Sequence, residues 1–431
     1  MRLFAAVLLG KTILFLTKYF KIGGGSAAPG LYALKLCPSL VEKISHHIPK
    51  NIVITGTNGK TTTAKMLAHF AKASGLRVIR NHTGSNLERG IASTLISKVN
   101  LWNPKLSFDL GIWELDEAAF NTVTPKLNPN SIVFLNIFRD QLDRYGEIDS
   151  VVKKWEQSVK SLPADTKFFL NGDDANVSKL AKAFKGKAQK FGVENYKIYG
   201  EAVAKVKKQE NVDFEAKNVK LNGLNSSKFT LTIFDKRYAI TLPLPGIYHI
   251  YDYLAAFAAG ISLGFKPGVM NGSLKNFSPA FGRVEKHDFG YIFLIKNPAG
   301  ATQVFETIAP QINPDDRLLL ALNDNLADGT DVSWIWDVDF ELIQNSSRAK
   351  SRDHTIVVSG TRSYDLALRL KYAGIKPDQI TVEQDLKNAL KRAMDGLEGR
   401  LFILPTYTSM LELQSILTKE GIKKHYWKES D

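Results

Sequence analysis

A glycine-rich loop between a strand pattern and a helix pattern is the feature that most constrains this chain. The apolar run 51–55 leads into Gly56-Thr57-Asn58-Gly59-Lys60-Thr61, and helix-forming residues continue to position 73. Glycines in such a loop let backbone N–H groups turn toward phosphate oxygens, and the positive end of the following helix points at the same place. The pattern therefore predicts a triphosphate site on a parallel α/β sheet.

Two polar residues of this loop have distinct predicted roles in binding the nucleotide and its metal ion. Lys60 would neutralise the β- and γ-phosphates, and the Thr61 hydroxyl would ligate Mg²⁺. The general form of such loops has a further glycine at position 54, where this chain has Ile54, so the loop is a variant form. The predicted nucleotide-binding residues of the loop are Thr57, Asn58, Gly59, Lys60, Thr61 and Thr62.

Length and composition limit the classes of protein that fit. A chain of 431 residues is too long for one ordinary core, which predicts two or three domains. The single cysteine, Cys37, excludes an intramolecular disulfide and a cysteine-cluster zinc site, and it fits a reducing cytoplasm. The net charge of +14 indicates acidic partners, and nucleic acid, anionic lipid and polyphosphate all fit that charge.

The N-terminal segment is both apolar and basic. Lys11 and Lys18 interrupt the apolar run 3–20, whereas a bilayer-spanning helix needs about 20 uninterrupted apolar residues. Lys11 also disfavours a signal peptide. The pattern fits an amphipathic helix on a membrane surface, and it fits equally a helix packed on its own protein.

Apolar runs alternate with helical stretches along the rest of the chain, which predicts an α/β fold with doubly wound parallel sheets. Short alternating runs at 228–234 and 237–242 predict a small antiparallel β insertion over 197–242. After residue 282 the strand–helix alternation restarts, which predicts a second, Rossmann-like α/β domain. The predicted division is a basic N-terminal helix and connector over 1–48, a central ATP-binding domain over 49–282 and a C-terminal domain over 283–431.

The phosphate loop resembles that of the Mur ligase family, which joins amino acids or ammonia to carboxylates through acyl phosphates. Glu114, in the acidic run 113–117, stands where the family holds Mg²⁺, so Thr61 and Glu114 are the predicted metal ligands. Residues 136–145 resemble the family's next motif. Gln141 replaces a histidine that often helps bind a second metal, which leaves a second metal site in question.

Two further motifs concern the nucleotide. Residues 279–285 fit the domain-junction motif of the Mur ligases, and the resemblance assigns Arg283 to the nucleotide phosphates. His249 and Asp252 stand where the family commonly has two asparagines on the adenine side. Both side chains can hydrogen-bond a purine or a ribose, and a core or helix-surface role fits them equally well.

Motifs in the C-terminal half indicate which family within the Mur ligases this chain resembles. Residues 296–300, 359–362 and 366–374, and above all the Asp- and Trp-rich run 321–341, resemble the MurT family, the ligase subunits of lipid II isoglutaminyl synthase. The similarity extends over nearly the whole chain, to about residue 410. It implies a Mur ligase-type P-loop ATPase domain followed by a MurT-type C-terminal domain.

The resemblance also implies an activity. The α-carboxylate of D-glutamate in the lipid II stem peptide attacks the γ-phosphate of ATP, and ammonia then displaces phosphate to give D-isoglutamine. Lys60, with Mg²⁺ on Thr61 and Glu114, would stabilise the phosphoryl charge. Cys37 lies beside Pro38 and outside any strand–turn–helix elbow, so this chain is not the glutaminase. A GatD-like amidotransferase subunit is therefore implied as partner in a cytoplasmic heterodimer, with no nucleic-acid partner.

An acid of the Asp- and Trp-rich run is the predicted contribution to that partner. In the MurT family a ligase carboxylate is thought to orient the histidine of the glutaminase Cys–His pair. Asp337 is the first candidate because Trp334 and Trp336 precede it and could anchor a partner surface. Asp331 is the second. The full set of acids in the run is Asp324, Asp328, Asp331, Asp337 and Asp339.

Two other functions fit the sequence. One is a stand-alone Mur or folylpolyglutamate-type ligase that adds an amino acid, and the choice between ammonia and amino acids as acceptor separates it from the first. The other is an ATP-binding scaffold that has lost catalysis, which Gln141, His249 and Asp252 would explain. A single-turnover ATPase assay with lipid II distinguishes that case.

We expect the purified protein to contain no structural zinc. MurT proteins often carry a four-cysteine zinc ribbon in the central domain, and residues 197–242 stand in its place. One cysteine and eight scattered histidines provide no Cys₄ or Cys₂His₂ spacing. Elemental analysis of the purified chain checks this, and close to one zinc per chain would contradict it.

Overall fold

The structure is a computed structural model that describes residues 1–20, 27–81, 85–102, 106–138, 148–195, 212–279, 282, 284–344 and 355–421. Three of the features predicted above lie outside these residues: Gln141, Arg283 and the segment 196–211 of the β insertion. The chain begins with three helices, α1 (Arg2–Tyr19), α2 (Ala28–Leu36) and α3 (Leu40–Ser45). No helix of the described residues is both long enough and apolar enough to cross a bilayer.

A nine-stranded sheet follows these helices, in the order β2-β3-β1-β4-β5-β6-β7-β8-β9. Its strands are β1 (Lys50–Thr55), β2 (Val78–Arg80), β3 (Leu110–Leu115), β4 (Ser131–Phe134), β5 (Lys167–Asn171), β6 (Ala188–Val193), β7 (Phe214–Asn222), β8 (Ser226–Ile233) and β9 (Lys236–Leu242). Its helices are α4 (Lys60–Ala73), α5 (Glu88–Lys98), α6 (Phe120–Leu127), α7 (Ile148–Ser161), α8 (Ala175–Ala183), α9 (Ile247–Ser262) and α10 (Pro267–Ser273).

The strands from β1 to β7 pair in parallel, and β7, β8 and β9 pair antiparallel. The two alternating runs at 228–234 and 237–242 thus form β8 and β9. Because β7 pairs in parallel with β6, these strands extend the central sheet and do not form a separate layer.

The second sheet has six strands in the order β10-β11-β15-β12-β13-β14, and all pairs except β10 with β11 are parallel. The strands are β10 (Glu285–His287), β11 (Gly290–Ile292), β12 (Arg317–Ala321), β13 (Ile356–Ser359), β14 (Ile380–Val382) and β15 (Leu401–Pro405). The helices are α11 (Pro298–Ile308), α12 (Glu341–Gln344), α13 (Ser363–Tyr372), α14 (Leu386–Met394) and α15 (Tyr407–Lys419), with a 3₁₀ segment at Ser333–Asp337.

The central parallel strands of both sheets are buried on both faces, whereas the antiparallel strands β7, β8 and β9 have exposed residues in alternation with buried ones. In β1, Ile52 and Ile54 face one apolar cluster while Val53 faces another. In β12, Leu318 and Leu319 divide in the same way. Parallel strands covered by helices on both sides read as continuous apolar runs, which is why the sequence signalled them so clearly. The α/β fold with two sheets is confirmed, and the boundaries at 48/49 and 282/283 stay a prediction.

Candidate active site

The phosphate loop joins the end of β1 to the start of α4, and two of its glycines have positive φ. Gly56 has φ +139° and Gly59 has φ +88°. A Cβ at Gly59 would lie 2.2 Å from Oδ1 of Asp252, so a larger residue would displace either the loop or α9. The glycines therefore allow the loop both its left-handed turn and its close approach to α9.

Asn136, just beyond β4, holds the loop in shape. The N–H of Asn58 donates to Oδ1 of Asn136 at 2.8 Å, and Nδ2 of Asn136 donates to the Asn58 carbonyl at 3.1 Å. The Thr57 N–H donates to the Asn136 carbonyl at 3.0 Å, and the Thr57 hydroxyl accepts from the N–H of Phe138 at 3.0 Å. The Thr57 side chain thus has a structural part, and its part in nucleotide binding stays a prediction.

Lys60 lies buried among oxygens of the loop and of the segment after β3. Its Nζ donates to the carbonyls of Gly56 and Thr57 and lies 3.5 Å from Oε2 of Glu117 and 3.7 Å from Oδ1 of Asp116. Burial raises the pKa of the Glu117 carboxyl, but the charges of Lys60 and Lys296 together with hydrogen bonds from the Thr57 hydroxyl and the backbone leave that pKa below its usual value. The lysine is therefore held beside the loop by two carbonyls and two carboxylates.

Thr61 and Glu114 meet at the start of α4. The Thr61 hydroxyl donates to Oε2 of Glu114 at 2.8 Å, and Glu114 is buried at the end of β3. Asn81 fixes its backbone, because the Glu114 N–H donates to Asn81 Oδ1 and Asn81 Nδ2 donates to the Glu114 carbonyl. A hydroxyl and a carboxylate oxygen held side by side next to a phosphate loop are ligands that Mg²⁺ prefers, so these residues fit the ion.

The second sheet contributes to the same site through the loop before α11. Asn58 and Asn297 form a reciprocal amide pair, with Asn58 Nδ2 donating to Asn297 Oδ1 at 3.1 Å and Asn297 Nδ2 donating to Asn58 Oδ1 at 2.9 Å. Asn297 also caps α11 by accepting from the N–H of Gly300. The neighbouring Lys296 reaches the Thr57 carbonyl at 3.4 Å, so a second cation lies beside the loop.

A cleft of about 740 Å³, partly open to solvent, lies between these elements. Its walls include Asn58, Gly59, Thr62, Asn136, His249 and Asp252 from the first sheet's layer, and Lys296, Gly300, Gln303 and Val304 from the second. His249 and Asp252 therefore lie in the cleft wall, as the adenine-side prediction requires, although their part in binding stays a prediction.

Both residues are also anchored within the protein. Nδ1 of His249 lies 2.6 Å from the Pro245 carbonyl, and since a carbonyl only accepts, Nδ1 carries the proton. Asp252 Oδ1 accepts from the Thr63 hydroxyl at 3.2 Å and packs behind Gly59. Asp252 thus supports the phosphate loop from the side of α9.

The acids of the Asp- and Trp-rich run lie outside the lining of this cleft. Asp324 accepts from the Thr361 hydroxyl at 2.8 Å and pairs with Arg362, and these contacts lower its pKa. Asp328 is buried and accepts from the N–H and hydroxyl of Thr408. Both are therefore engaged in contacts within the C-terminal fold.

The remaining three acids lie on or beside the 3₁₀ segment Ser333–Asp337. Asp331 lies two residues before the segment and accepts from the Ser333 N–H at 2.9 Å, whereas Asp337 is its last residue, and both are half-buried. Asp339 is exposed on average, but partial desolvation of its carboxyl and the charge of Glu341 raise its pKa. The choice of Asp337 first and Asp331 second for the partner site stays a prediction.

Arg369 of α13 holds this segment in place. Its buried guanidinium donates to the carbonyls of Ile335 and Val338 and pairs with Glu341 at 3.0 Å. It also lies over the rings of Trp336 and Phe340, 5.8 and 5.3 Å from their centroids. One buried cation therefore fixes the backbone on both sides of Asp337.

The sequence patterns did not indicate that Glu117, Asn136, Lys296 and Asn297 contact the phosphate loop or its lysine. Residues 113–117 and 296–300 stood out only as pieces of a family resemblance, and the contacts of Asn58 with Asn136 and Asn297 span 78 and 239 residues. Within the described residues, no three His, Cys, Asp or Glu side chains cluster as metal ligands.

Two segments of the chain match known protein families. Residues 54–260 match the Mur ligase middle domain, and residues 294–410 match the MurT ligase C-terminal domain. The lipid II isoglutaminyl synthase (glutamine-hydrolyzing) subunit MurT of Streptococcus pneumoniae is 30% identical over an alignment of 434 positions. The alignment covers 93% of this chain and 94% of that protein. The chain belongs to the MurT family. It is accordingly an ATP-dependent ligase.

Solved structures support the fold. MurF from Acinetobacter baumannii superposes with a TM-score of 0.67 at 17% identity, covering 90% of this chain and 79% of that one. MurF from Thermotoga maritima in complex with ADP gives a TM-score of 0.64 at 15% identity, covering 90% and 85%. The sequence-based prediction of a MurT-type chain with a Mur ligase fold is thus confirmed.

Proposed function

We propose that this MurT-family ligase amidates the α-carboxylate of D-glutamate in the lipid II stem peptide, using ammonia from a glutaminase subunit. The observation that carries the proposal is the similarity to the pneumococcal MurT subunit over almost the full length of both chains. The grouping of Lys60, Thr61 and Glu114 around one phosphate loop supplies the chemistry.

ATP would bind with its triphosphate in the phosphate loop and its adenosine in the cleft beside His249. Lys60 would exchange part of its contact with Glu117 and Asp116 for the β- and γ-phosphates. Thr61 and Glu114 would hold Mg²⁺, which supplies positive charge next to the phosphates when bound. Lys296, whose Nζ lies 3.4 Å from the Thr57 carbonyl, would add a second cation from the other sheet.

The reaction would proceed in two displacements. A carboxylate oxygen of the substrate attacks the γ-phosphorus while the bond to the β-phosphate oxygen breaks, which gives an acyl phosphate and ADP. The nitrogen of ammonia then attacks the acyl carbon, inorganic phosphate leaves, and the nitrogen loses a proton to give the amide. Lys60 and Lys296 act in the first step by offsetting negative charge that spreads over the phosphoryl oxygens.

The ammonia source would be a GatD-like subunit that docks on the C-terminal domain beside Asp337. Trp336, Tyr364, Leu368 and Tyr372 are exposed there, and the last three lie four residues apart on one face of α13. Trp336 meets Tyr372 edge-on at 5.5 Å. Aromatic side chains in this density are typical of interface centres, and Asp337 directly follows Trp336.

The proposed complex would work in the cytoplasm, where ATP and the lipid-linked precursor are both available. The three-part division at 48/49 and 282/283 belongs to the same proposal, with the ATP site on the central domain and the docking face on the C-terminal one. Nothing in the proposal requires a nucleic acid, and the positive charge would serve phosphates and anionic lipid.

Acceptor choice tests the proposal. With lipid II and ATP, we expect the chain to form the amide when ammonium is supplied and to form no peptide bond with any amino acid. Release of ADP should depend on lipid II, because the acyl phosphate forms only on its carboxylate. Transfer of an amino acid would identify a stand-alone ligase, and an absence of lipid II-dependent ADP release in a single turnover would identify a scaffold.

A further inference from the structure

The first helix, α1, has apolar side chains on both of its faces, and only one face is covered. Leu3, Ala6, Val7 and Gly10 point inward at helical spacing, toward α2 and α5. A Cβ at Gly10 would lie 2.8 Å from Cδ1 of Ile96 of α5, so the helix is packed closely against its own protein. The expectation of a helix packed on the chain itself is therefore met by this inner face.

The opposite face of α1 is exposed. Phe4, Leu8, Phe15 and Tyr19 recur at the spacing of one helical face. Phe15 is 65% exposed and Tyr19 71% exposed, and their rings stack at 6.1 Å. Trp102, 83% exposed, extends this face by contact with Phe4 at 5.4 Å. We call Phe4, Leu8, Phe15, Tyr19 and Trp102 the α1 surface.

A soluble helix normally exposes charged or polar side chains, and a bare apolar face of this size marks an interaction site. The α1 surface and the neighbouring helix α2 hold eight of the twenty exposed large hydrophobic side chains among the described residues. Aromatic residues predominate, as they do where a protein meets the interfacial region of a bilayer.

The charge around the α1 surface selects the partner. Residues 1–50 carry seven Lys and Arg and a single acid, Glu42. On the helix itself Lys11 lies on the same face as Phe4 and Phe15 by helical spacing, Arg2 is exposed at its first turn, and Lys35 is exposed on α2. A second copy of the chain would bring the same positive charge and be repelled, whereas an anionic lipid headgroup layer is complementary.

We infer that the α1 surface docks on an anionic lipid bilayer, with its aromatic side chains in the interfacial region and its basic residues on the headgroups. The helix would lie along the surface without crossing it. Because α1 is fixed to α2 and α5, docking would also hold the rest of the protein at the membrane. The inference rests on the proposed function in one respect, namely that a lipid-linked substrate would be met at this surface.

The test is sedimentation of the purified full-length chain with vesicles of phosphatidylglycerol and phosphatidylethanolamine, compared with phosphatidylcholine alone. We expect binding to the anionic vesicles, weaker binding at high salt and little binding to the neutral ones. Replacing Phe15 and Tyr19 together by glutamate should lower the apparent affinity at least about tenfold, because two interfacial aromatic side chains are lost and two negative charges are added next to anionic headgroups.

A matched double variant controls for charge and for exposed apolar area. Leu221 and Phe234 are exposed on the β7–β9 part of the sheet, so Leu221→Glu with Phe234→Glu adds the same two negative charges elsewhere. This variant should bind vesicles within about twofold of the parent. Equal losses in both variants, or no binding by the parent, would overturn the inference. So would self-association of the parent that the Phe15→Glu/Tyr19→Glu variant abolishes, with vesicle binding unaffected.

A water-soluble, short-chain analogue of lipid II separates this inference from the proposed function. The Phe15→Glu/Tyr19→Glu variant should amidate the soluble analogue at the parental rate with added ammonium, while its rate on lipid II in vesicles falls. If the parent amidates neither substrate, the proposed function fails, and the sedimentation result still decides on the α1 surface.

Discussion

Replacing Lys60 by alanine is expected to reduce ATP-dependent amidation by about a thousandfold or more, because the charge that meets the β- and γ-phosphates is lost. The measurement is ADP release and amide formation with lipid II and ammonium. The structure adds a second effect, since Lys60 is buried and neutralises Glu117. Its removal should also lower the melting temperature, because the Glu117 carboxylate loses its nearest cation.

The control for this variant is Lys72→Ala, which removes the same charge from the exposed, C-terminal end of the same helix. Its activity should stay within about twofold of the parent, as expected for an exposed surface lysine. A folded Lys60→Ala protein with activity within a few-fold of the parent would show that the phosphate loop is misassigned.

Replacing Asp337 by asparagine is expected to separate the two ammonia sources. In the complex with the glutaminase, glutamine-driven amidation should fall by about a thousandfold or more, by analogy with the loss of the carboxylate that orients a catalytic histidine. Amidation with added ammonium should stay close to the parental rate, because Asp337 lies outside the lining of the nucleotide cleft. Both rates are measured on the same enzyme preparation.

The neighbouring acids serve as controls, with Asp339→Asn as an exposed aspartate two residues away. That variant should leave both ammonia sources unchanged. Equal losses with both sources in Asp337→Asn would assign Asp337 to the ligase site. No loss with either would make it structural surface, and Asp331→Asn would then be the variant expected to affect glutamine alone.

The sequence was most informative where one short segment carries the whole signal. The strand, glycine turn and helix of residues 51–73 are consecutive, so their pattern predicted both the fold class and the placing of Lys60 and Thr61. The family resemblance supplied Glu114 as the partner of Thr61, and the structure brings the two together because the parallel neighbours β1 and β3 end at the same sheet edge. Buried parallel strands gave similarly clear apolar runs.

Contacts between distant segments were not accessible from these patterns. A single asparagine such as Asn297 has no periodicity, and its partner Asn58 is fixed only once the two sheets are positioned. The same holds for Lys296 beside Glu117 and for Asp252 behind Gly59. For α1, the sequence pattern identified the apolar residues of the helix. It did not show which face is buried and which is exposed, because that depends on where α2 and α5 pack.

The amide pair between Asn58 and Asn297 has a thermodynamic consequence. It ties the tip of the phosphate loop to the cap of α11, so the energy of occupying the loop includes the energy of keeping or breaking that pair. Anything that changes how firmly α11 is held against the loop then changes nucleotide affinity. Reciprocity requires that nucleotide change the affinity for such an effector by the same factor. A subunit bound to the C-terminal sheet and a nucleotide bound to the central sheet would thus each change the binding affinity of the other, through the side chains of Asn58 and Asn297.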